Sequence, residues 1–497
     1  MEAAAEVLRE GGNAFDAALA AMMTACVPEF VFSSIGGGGH LMAFDAQRSR
    51  THLFDFFVQT PLHKRHPDTL DFRAITADFG PATQEFHIGA GAAATPGLVP
   101  GFYAIHEALG TLPVKRLLEP AINAAHDGVR VTDLHAYLYT IVAPILTATD
   151  GARAHFTRDG ELLKAGDVYR NPDFALLLEA LASEGPRLFS EGEVARAIAA
   201  QSERFGGHLT LDDLKAYRVE NRQALLRPYR GCRVALNPPP AASGAMIGFA
   251  LALLEKHVES GGQADAVTLA RIMERTNAAR ASHGAALEAL VGEAVIAEHF
   301  EALRGHPPAS RGTTHISVID AQGNAAAVTI TNGEGNGHVV EGCGFMLNNM
   351  LGEEDLNPDG FHLWPENRRL STMMAPTLIR EGDGTLTALG SGGSNRIRTA
   401  VFQVIVNLLE RGLPLADAVR AARLHAERCG TLSLEDGPWE EVLPPAEKSA
   451  LLDAFPQAHR WPDINLFFGG VHAVRRTPRG TLEAAGDPRR GGVGLVL

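Results

Sequence analysis

Apolar residues recur at helical spacing through the first part of the chain. The first such stretch, residues 2–10, predicts a helix that ends at Gly11-Gly12, since glycine is a common helix stop. Asn13 can cap the next helix, which is alanine-rich and runs from Ala14 to about Thr24. The clearest of the helices that follow span residues 174–184, 245–258 and 266–281.

The pattern changes near residue 311. Residues 315–320 alternate polar and apolar side chains, which is typical of a strand with one face on the core and one in solvent. Residues 321–324 form a predicted turn, and residues 325–331 form a second strand. The sequence therefore predicts a β-hairpin that begins at Thr313.

A glycine-rich segment then joins a predicted strand to a long helix. Residues 385–389 favour a strand, and the segment from Gly390 to Ser394 follows it directly. The next helix carries its apolar residues on one side and ends at Gly412. Two last strands are predicted near 471–474 and 481–484, so a helix-rich first part and a strand-rich second part share one layered α/β fold.

The composition disfavours several classes of protein. A chain of 497 residues, 45% of them apolar, can bury one large core or several ordinary ones. A net charge of −14 without a run of Lys or Arg disfavours a nucleic-acid or anionic-membrane partner. No apolar run reaches the ~20 residues that span a bilayer, and no signal peptide is recognisable. As it stands the sequence predicts a cytoplasmic protein, while a start placed too late would leave a periplasmic or secreted one open.

Metal and redox chemistry are disfavoured, and we expect no cofactor. The 20 histidines include no HExxH motif, and His315 and His338 are typical of strand or loop histidines. The four cysteines lie far apart and form no CxxC pair. We therefore expect reduced, packed thiols at Cys26, Cys232, Cys343 and Cys429.

The candidate chemistry centres on Gly312-Thr313-Thr314. A threonine hydroxyl is a weak nucleophile that needs a nearby base, and a threonine at a new N-terminus carries one in its own α-amino group. Gly312 has no side chain to hinder attack of the Thr313 hydroxyl on its carbonyl, so the sequence permits self-cleavage here. Two threonines at the start of a strand are also common for structural reasons alone.

Two further segments offer groups that bind anions. The backbone N–H groups of Gly392-Gly393-Ser394 precede a helix and can hold a developing oxyanion. The adjacent hydroxyls of Ser371 and Thr372 can bind a substrate carboxylate. Each segment also fits a simpler interpretation, namely a glycine-rich connection and an exposed loop.

In order and spacing, these residues resemble the γ-glutamyltransferase (γ-glutamyl transpeptidase) family of N-terminal-nucleophile hydrolases. The resemblance covers nearly the whole chain. It is carried by residues 8–18 (LREGGNAFDAA), Ser34 to Gly39, Thr95-Pro96-Gly97 with Gly101, Pro238-Pro239-Pro240 with Ser243-Gly244, Thr313 to Val318, Asp320, Gly323-Asn324, Gly390 to Gly393, and Asp487-Pro488-Arg489.

The resemblance implies a four-layer αββα sandwich and a precursor that cuts itself between Gly312 and Thr313. Residues 1–312 would form a large subunit and residues 313–497 a small one, and together they would make one fold. A homodimer of these subunits is left open. The expected partner is a small γ-glutamyl or N-acyl amide, with neither nucleic acid nor membrane.

The resemblance also assigns roles to single residues. Thr313 matches the nucleophile, and Thr331 matches the threonine that orients it. Gly393 and Ser394 stand at the oxyanion pair, which is normally Gly-Gly, and a serine N–H can still donate. Ser371 matches the serine that binds the donor α-carboxylate, and Thr372 stands where a second serine is usual.

The donor pocket departs from the family pattern. Asn332 follows Thr331 by one residue instead of two, and Met350 replaces a Gln or Glu after Asn348-Asn349. The arginine for the α-carboxylate has no secure match, and Arg65 is the nearest. The acidic contact for the donor α-amino group has three candidates, Glu353, Glu354 and Asp355.

We therefore expect a γ-glutamyltransferase-like hydrolase or acyltransferase in which Thr313 forms an acyl-enzyme from a donor such as glutathione. One alternative is an acylase with the same chemistry for glutaryl or cephalosporin-type N-acyl groups. Another is an uncleaved, non-catalytic homologue with a binding role, which the departures in the donor pocket favour.

Overall fold

The structure is a computed structural model that describes residues 1–30, 32–78, 83–284, 286–301, 313–357, 359–427, 430–437 and 445–497. The described helices are α1 (Glu2–Arg9), α2 (Ala14–Ala25), α3 (Leu98–Leu109), α4 (Val114–Asp127), α5 (Asp133–Ile141), α6 (Ala143–Leu146), α7 (Asp150–Phe156), α8 (Pro172–Glu184), α9 (Arg187–Ser190), α10 (Glu193–Arg204), α11 (Leu211–Ala216), α12 (Ala242–Glu259), α13 (Ala266–His283), α14 (Glu293–Glu301), α15 (Arg396–Leu409), α16 (Leu415–Arg420) and α17 (Pro445–Ala454).

The described strands are β1 (Gly38–Asp45), β2 (Arg50–Phe56), β3 (Arg73–Asp78), β4 (Thr83–Ile88), β5 (Val129–Arg130), β6 (Thr157–Arg158), β7 (Glu161–Leu162), β8 (Val168–Tyr169), β9 (Glu220–Arg222), β10 (Leu225–Tyr229), β11 (Cys232–Leu236), β12 (Thr314–Ile319), β13 (Ala325–Thr331), β14 (Thr377–Arg380), β15 (Leu386–Gly392), β16 (Leu424–Ala426), β17 (Leu432–Glu435), β18 (His459–Trp461), β19 (Gly470–Arg476) and β20 (Leu482–Ala485).

Two antiparallel sheets form the centre of the molecule. The first has the strand order β12-β13-β1-β2-β9, and the second has the order β10-β11-β14-β15-β19-β20. Helices α2 and α3 pack on the outer face of the first sheet, and α12 and α15 pack on the outer face of the second. Strands β12 and β13 contact β15, so the inner faces of the sheets meet. This is the four-layer αββα sandwich, as predicted.

The layer between the sheets is apolar at one end and polar at the other. The apolar end is packed with Met42, Phe44, Leu53, Ile319, Leu378 and Leu386. Side chains alternate along a strand, so the same inward faces continue into a polar end. Its buried residues are His40, Asp55, Thr313, His315, Thr329 and Thr331.

The structure confirms the predicted hairpin and the cap of α2. β12 pairs with β13 over residues 314–319, and the Asn13 side chain accepts hydrogen bonds from the first turn of α2. The expectation that β12 is only half-buried is wrong, because the second sheet covers its polar face. β15 also runs beyond the predicted 385–389, since Gly390, Ser391 and Gly392 pair with β19.

None of the described helices is both long and apolar enough to cross a membrane. Cys26, Cys232 and Cys343 are free and buried, which agrees with the expected packed thiols. Cys429 lies outside the described residues.

A buried network of four charges fixes the C-terminal segment. Arg423 Nη2 lies 2.5 Å from Asp487 Oδ2, and Arg489 bridges Asp487 at 3.2 Å and Glu435 at 2.5 Å. Burial alone would raise the pKa of Asp487, but the guanidinium groups of Arg423 and Arg489 outweigh it and hold that pKa below its usual range. Each charge therefore depends on its partners, because an unpaired charge in this place would be costly.

We expect Arg423→Met to lower the free energy of unfolding by about 3–5 kcal/mol, because it leaves Asp487 short of one cation in a dry environment. Urea unfolding followed by circular dichroism measures the change. Arg187→Met is the matched control, since Arg187 forms an exposed pair with Glu191 and its loss should leave the midpoint where it was. Equal midpoints for both variants would contradict the importance of the buried network.

Candidate active site

Thr313 stands directly before β12 and faces the layer between the sheets. The hairpin register pairs His315 with Thr329, so two residues earlier Thr313 lies opposite Thr331. Thr313 and Thr331 are each only 4% exposed. The Thr331 hydroxyl accepts a hydrogen bond from the N–H of Gly333 at 3.0 Å, which fixes its position. The structure thus brings together the predicted nucleophile and the residue predicted to orient it.

The backbone of Thr313 is held from the second sheet. A β-carbon on Gly392 would lie 1.9 Å from the carbonyl oxygen of Thr313, so only glycine allows this approach. Arg490 Nη1 lies 3.4 Å from the same oxygen. Burial lowers the pKa of Arg490 to about 10, and at neutral pH it remains a cation. These contacts fix the carbonyl side of Thr313.

A cavity of about 80 Å³ opens beside Thr313. Its wall includes Glu29, which accepts a hydrogen bond from the hydroxyl of Thr314, and the guanidinium of Arg490. Such a volume holds a few water molecules, and the polar wall gives them hydrogen-bonding partners. The cavity therefore offers water a place next to the predicted nucleophile.

Two histidines near Thr313, His315 and His472, are neutral at physiological pH. Burial lowers the pKa of His315 well below its usual value, and burial lowers that of His472 to about 4. His315 Nδ1 and Nε2 lie within hydrogen-bonding distance of the hydroxyls of Thr329 and Ser317, at 2.7 and 2.8 Å. The ring is a strand histidine, as the sequence indicated, and it packs beneath Gly390 of β15.

Gly393 and Ser394 present two buried backbone N–H groups just after β15. Neither N–H donates a hydrogen bond to any residue that the structure describes. Their carbonyl groups accept from Arg396 and Ile397, which starts α15. Buried N–H groups are nearly always satisfied, so this pair is suited to an anionic oxygen that arrives with substrate.

The glycine run before β1 brings three segments together. A β-carbon on Gly37 would lie 2.2 Å from the carbonyl oxygen of Thr331. The carbonyl of Gly37 also accepts from Gly97 and Leu98, which begin α3. The run thus allows a close backbone approach, and this approach places the predicted orienting threonine against β1.

The loop with Ser371 and Thr372 is anchored by the start of α12. The carbonyl of Thr372 accepts hydrogen bonds from Ala242 N at 3.0 Å and Ser243 N at 3.4 Å. The hydroxyl of Thr372 accepts from Met374 N at 3.2 Å, whereas that of Ser371 makes no hydrogen bond with the described residues. Ser371 thus remains available for a ligand, while Thr372 is partly engaged within the loop.

The structure groups several acidic and amide side chains after β13. Both polar atoms of the Asn332 side chain make no hydrogen bond with the described residues, although Asn332 is 0% exposed. A β-carbon on Gly333 would lie 2.3 Å from Glu353 Oε1, so the carboxylate touches the backbone next to Asn332. Glu334 is buried beside them, with its N–H on Asn349 Oδ1 at 3.0 Å. Asn332 and Glu353 therefore lie close together, and a substrate-binding role for them stays a prediction.

Other predicted donor-pocket residues are placed differently. Met350 packs in an apolar cluster with Leu370 and Met374, so it supplies no polar group. Arg65 is exposed, and its guanidinium donates to the carbonyl of Gly207 at 3.1 Å rather than to the Ser371 loop. Asp355 is buried in the helical turn after Glu353, and its role stays a prediction.

Gly312, the residue before the predicted cleavage, lies outside the described residues. Sequence reasoning missed Glu29, Glu334 and Arg490, which the fold brings to the site from separate segments. Arg490 had a signal, since it directly follows the motif Asp487-Pro488-Arg489. Glu29 and Glu334 had none, because neither belongs to a recognised motif.

The family model for Gamma-glutamyltranspeptidase matches residues 1–497. The "Glutathione hydrolase proenzyme" of Escherichia coli (strain K12) is 30% identical, over 97% of this chain and 88% of that protein. The "Acylase ACY 1 proenzyme" of Pseudomonas sp. (strain V22) is also 30% identical, over 100% of this chain and 91% of that protein.

Solved structures share the fold. The cephalosporin acylase from Bacillus halodurans superposes with a TM-score of 0.84 at 22% identity, covering 99% of this chain and 93% of its own. The gamma-glutamyltranspeptidase of Helicobacter pylori has a TM-score of 0.54 at 24% identity, and the match covers 61% of this chain and 88% of that one. Because the family model matches the whole chain, and the arrangement around Thr313 agrees with it, the chain belongs to the gamma-glutamyltranspeptidase family.

Proposed function

We propose that the chain is a self-processing amide hydrolase and acyltransferase whose nucleophile is Thr313. One observation carries the proposal. Thr313 lies opposite Thr331 and against Gly392, and the two N–H groups that follow Gly392 donate to no described residue. A nucleophile and donors for an oxyanion are thereby held on two facing sheets.

Processing begins with attack of the Thr313 hydroxyl on the carbonyl carbon of Gly312. The peptide bond breaks, the Thr313 nitrogen becomes an amine, and an ester joins the two residues. Water then hydrolyses the ester, which leaves a carboxylate on Gly312 and restores the hydroxyl. Residues 1–312 and 313–497 stay together, because both contribute strands to the same sheets.

Catalysis uses the amine that processing exposes. The α-amino group takes the hydroxyl proton of Thr313 while the oxygen attacks the donor amide carbonyl. The Gly393 and Ser394 N–H groups stabilise the oxyanion, and the proton passes to the leaving amine. Water or an acceptor amine then attacks the acyl ester and releases the acid or a new amide.

A γ-glutamyl donor such as glutathione is the first candidate. Asn332, Glu353 and Glu334 gather polar and anionic groups where a donor α-ammonium would be held, and Ser371 offers a hydroxyl for its carboxylate. Relatives named glutathione hydrolase support this choice.

A second candidate is an acylase for N-acyl amides that lack the amino-acid head group. The exposed position of Arg65 favours it, because this side chain donates to Gly207 and a γ-glutamyl α-carboxylate would be left without its expected cation. A relative named Acylase ACY 1 supports the same alternative.

We expect Thr313→Ala to abolish both processing and activity, because no other oxygen takes the place of the hydroxyl. A denaturing gel of purified wild-type protein should show pieces of 312 and 185 residues (497 − 312 = 185), and the variant a single band of 497. Thr314→Ala is the matched control, since its hydroxyl is bound to Glu29 and cleavage should persist. An intact and fully active wild-type chain would refute the proposal, and an intact, inactive one would favour a binding role.

We expect Gly392→Ala to reduce processing and turnover by at least about 100-fold. The added methyl overlaps the carbonyl oxygen of Thr313 and therefore displaces the Thr313 hydroxyl from the carbonyl carbon that it attacks. Cleavage on gels and amide hydrolysis measure the loss, and circular dichroism reports folding. Gly151→Ala is the control, since its nearest neighbour would lie 4.0 Å away. A folded Gly392→Ala protein with wild-type cleavage would contradict the assigned contact.

The donor is tested by comparing kcat/KM for glutathione with that for the same amide lacking its α-amino group. A γ-glutamyl pocket should favour glutathione by at least about 100-fold, since buried polar groups reject an analogue that leaves them unsatisfied. Glu353→Gln should reduce this preference while sparing the deaminated amide. Equal values for both substrates would select the acylase alternative.

A further inference from the structure

The second predicted oxyanion donor has an unusual backbone conformation. Ser394 has φ of +54°, in the left-handed region that residues with a β-carbon rarely adopt. It follows Gly393, for which φ of +119° is easily accessible. A serine keeps such a conformation only where surrounding contacts determine it, and this one decides where its N–H points.

Two buried side chains, Arg398 and Asn277, hold the residue that follows Ser394 from one side. Arg398 Nε donates to Asn395 Oδ1 at 3.0 Å, and its Nη2 donates to Asn277 Oδ1 at 2.6 Å. The Nδ2 of Asn277 donates in turn to the carbonyl groups of Ala426 and Glu427, at 2.9 and 3.3 Å. Asn395 directly follows Ser394, so this chain connects the turn to α13 and to the end of β16.

The Asn395 side chain binds Arg398 instead of capping α15. Asn395 occupies the N-cap position of α15, but its side chain caps no backbone N–H of that helix. Its oxygen instead receives the guanidinium of Arg398 from the first turn. Asn277 and Arg398 are each 3% exposed, so their hydrogen bonds form away from competing water.

The other side of the turn is held separately. Arg396 Nε donates to the carbonyl of Phe467 at 2.7 Å, and its guanidinium lies 4.6 Å from the centre of the Phe467 ring. A β-carbon on Gly393 would lie 2.7 Å from the α-carbon of Gly469. The turn is therefore confined toward residues 467–469, and Arg398 with Asn277 confines it from the opposite direction.

We propose that Arg398 and Asn277 are positioning residues that hold Ser394 in the left-handed conformation and so aim its N–H at the oxyanion. The proposal rests on the function proposed above, because it presupposes that this N–H takes part in catalysis. Neither residue lines the cavity beside Thr313. Both residues act through Asn395. The planar guanidinium of Arg398 is suited to this role because it donates to the side-chain oxygens of Asn395 and Asn277 at once.

The test is a double-mutant cycle between R398M and S394G. Glycine adopts φ of +54° without a side-chain penalty, so the S394G background removes what Arg398 is proposed to enforce. With γ-glutamyl and glutaryl 4-nitroanilides as probes, we expect R398M to lower kcat by about 10–100-fold with KM within about twofold. In the S394G background the same substitution should cost at least about fivefold less.

R398K should behave more like R398M than like wild type, because a single ammonium cannot donate to Asn395 and Asn277 in the geometry of the guanidinium. R411M is the control, since Arg411 lies just beyond the same helix and donates to the carbonyl of Ala264. It should leave kcat unchanged at a temperature where it is folded. Should R398M not fold, N277S provides the same comparison, because it removes the other end of the connection.

An equal loss of kcat in both backgrounds, or a loss that appears only in KM, would overturn the positioning role. A wild-type kcat in folded R398M would also overturn the positioning role. If Thr313→Ala were inactive in the same assay, the proposed function would still stand. Activity retained in Thr313→Ala would instead remove the proposed function itself, whatever R398M does.

Discussion

The site depends on how closely two strands from opposite sheets approach each other. β15 crosses β12 with Gly390 over the ring of His315 and Gly392 over the carbonyl of Thr313, where β-carbons would lie 2.3 and 1.9 Å from their neighbours. Because Gly393 and Ser394 come next, the contact sets their N–H groups relative to Thr313. The distance between the sheets thus also sets the distance between the proposed nucleophile and the proposed oxyanion donors.

This approach has a cost that the rest of the fold offsets. The layer between the sheets ends in polar side chains, and buried polar groups are tolerated only with partners. His315 accordingly rests between the hydroxyls of Thr329 and Ser317 as a neutral ring. The charged network of the C-terminal segment fixes Arg489, and the next residue, Arg490, reaches the Thr313 carbonyl.

Local signals in the sequence correctly predicted the hairpin and the cap of α2, because each depends on neighbours along the chain. The αββα arrangement followed from the family resemblance. Arg398, Glu334 and Glu29 were out of reach, since their roles depend on segments far away in sequence. Arg65 shows the opposite limit: its position in the sequence suggested a ligand, but a nearby carbonyl, that of Gly207, takes its guanidinium.

The proposed site uses mainly backbone groups for the chemistry and side chains for recognition of the donor. In the proposed mechanism, the groups that break bonds are backbone N–H groups, a hydroxyl and an amine that cleavage creates. A backbone N–H does not require glycine, so this mechanism accommodates a serine at position 394 provided its conformation is held. The groups proposed to select the donor are side chains, among them Asn332, Glu353 and Ser371, so a substitution there would directly change the proposed contacts with the donor. Under this proposal a family can keep its chemistry while its members change substrates, which agrees with the finding that a relative named glutathione hydrolase and one named acylase are each 30% identical to this chain.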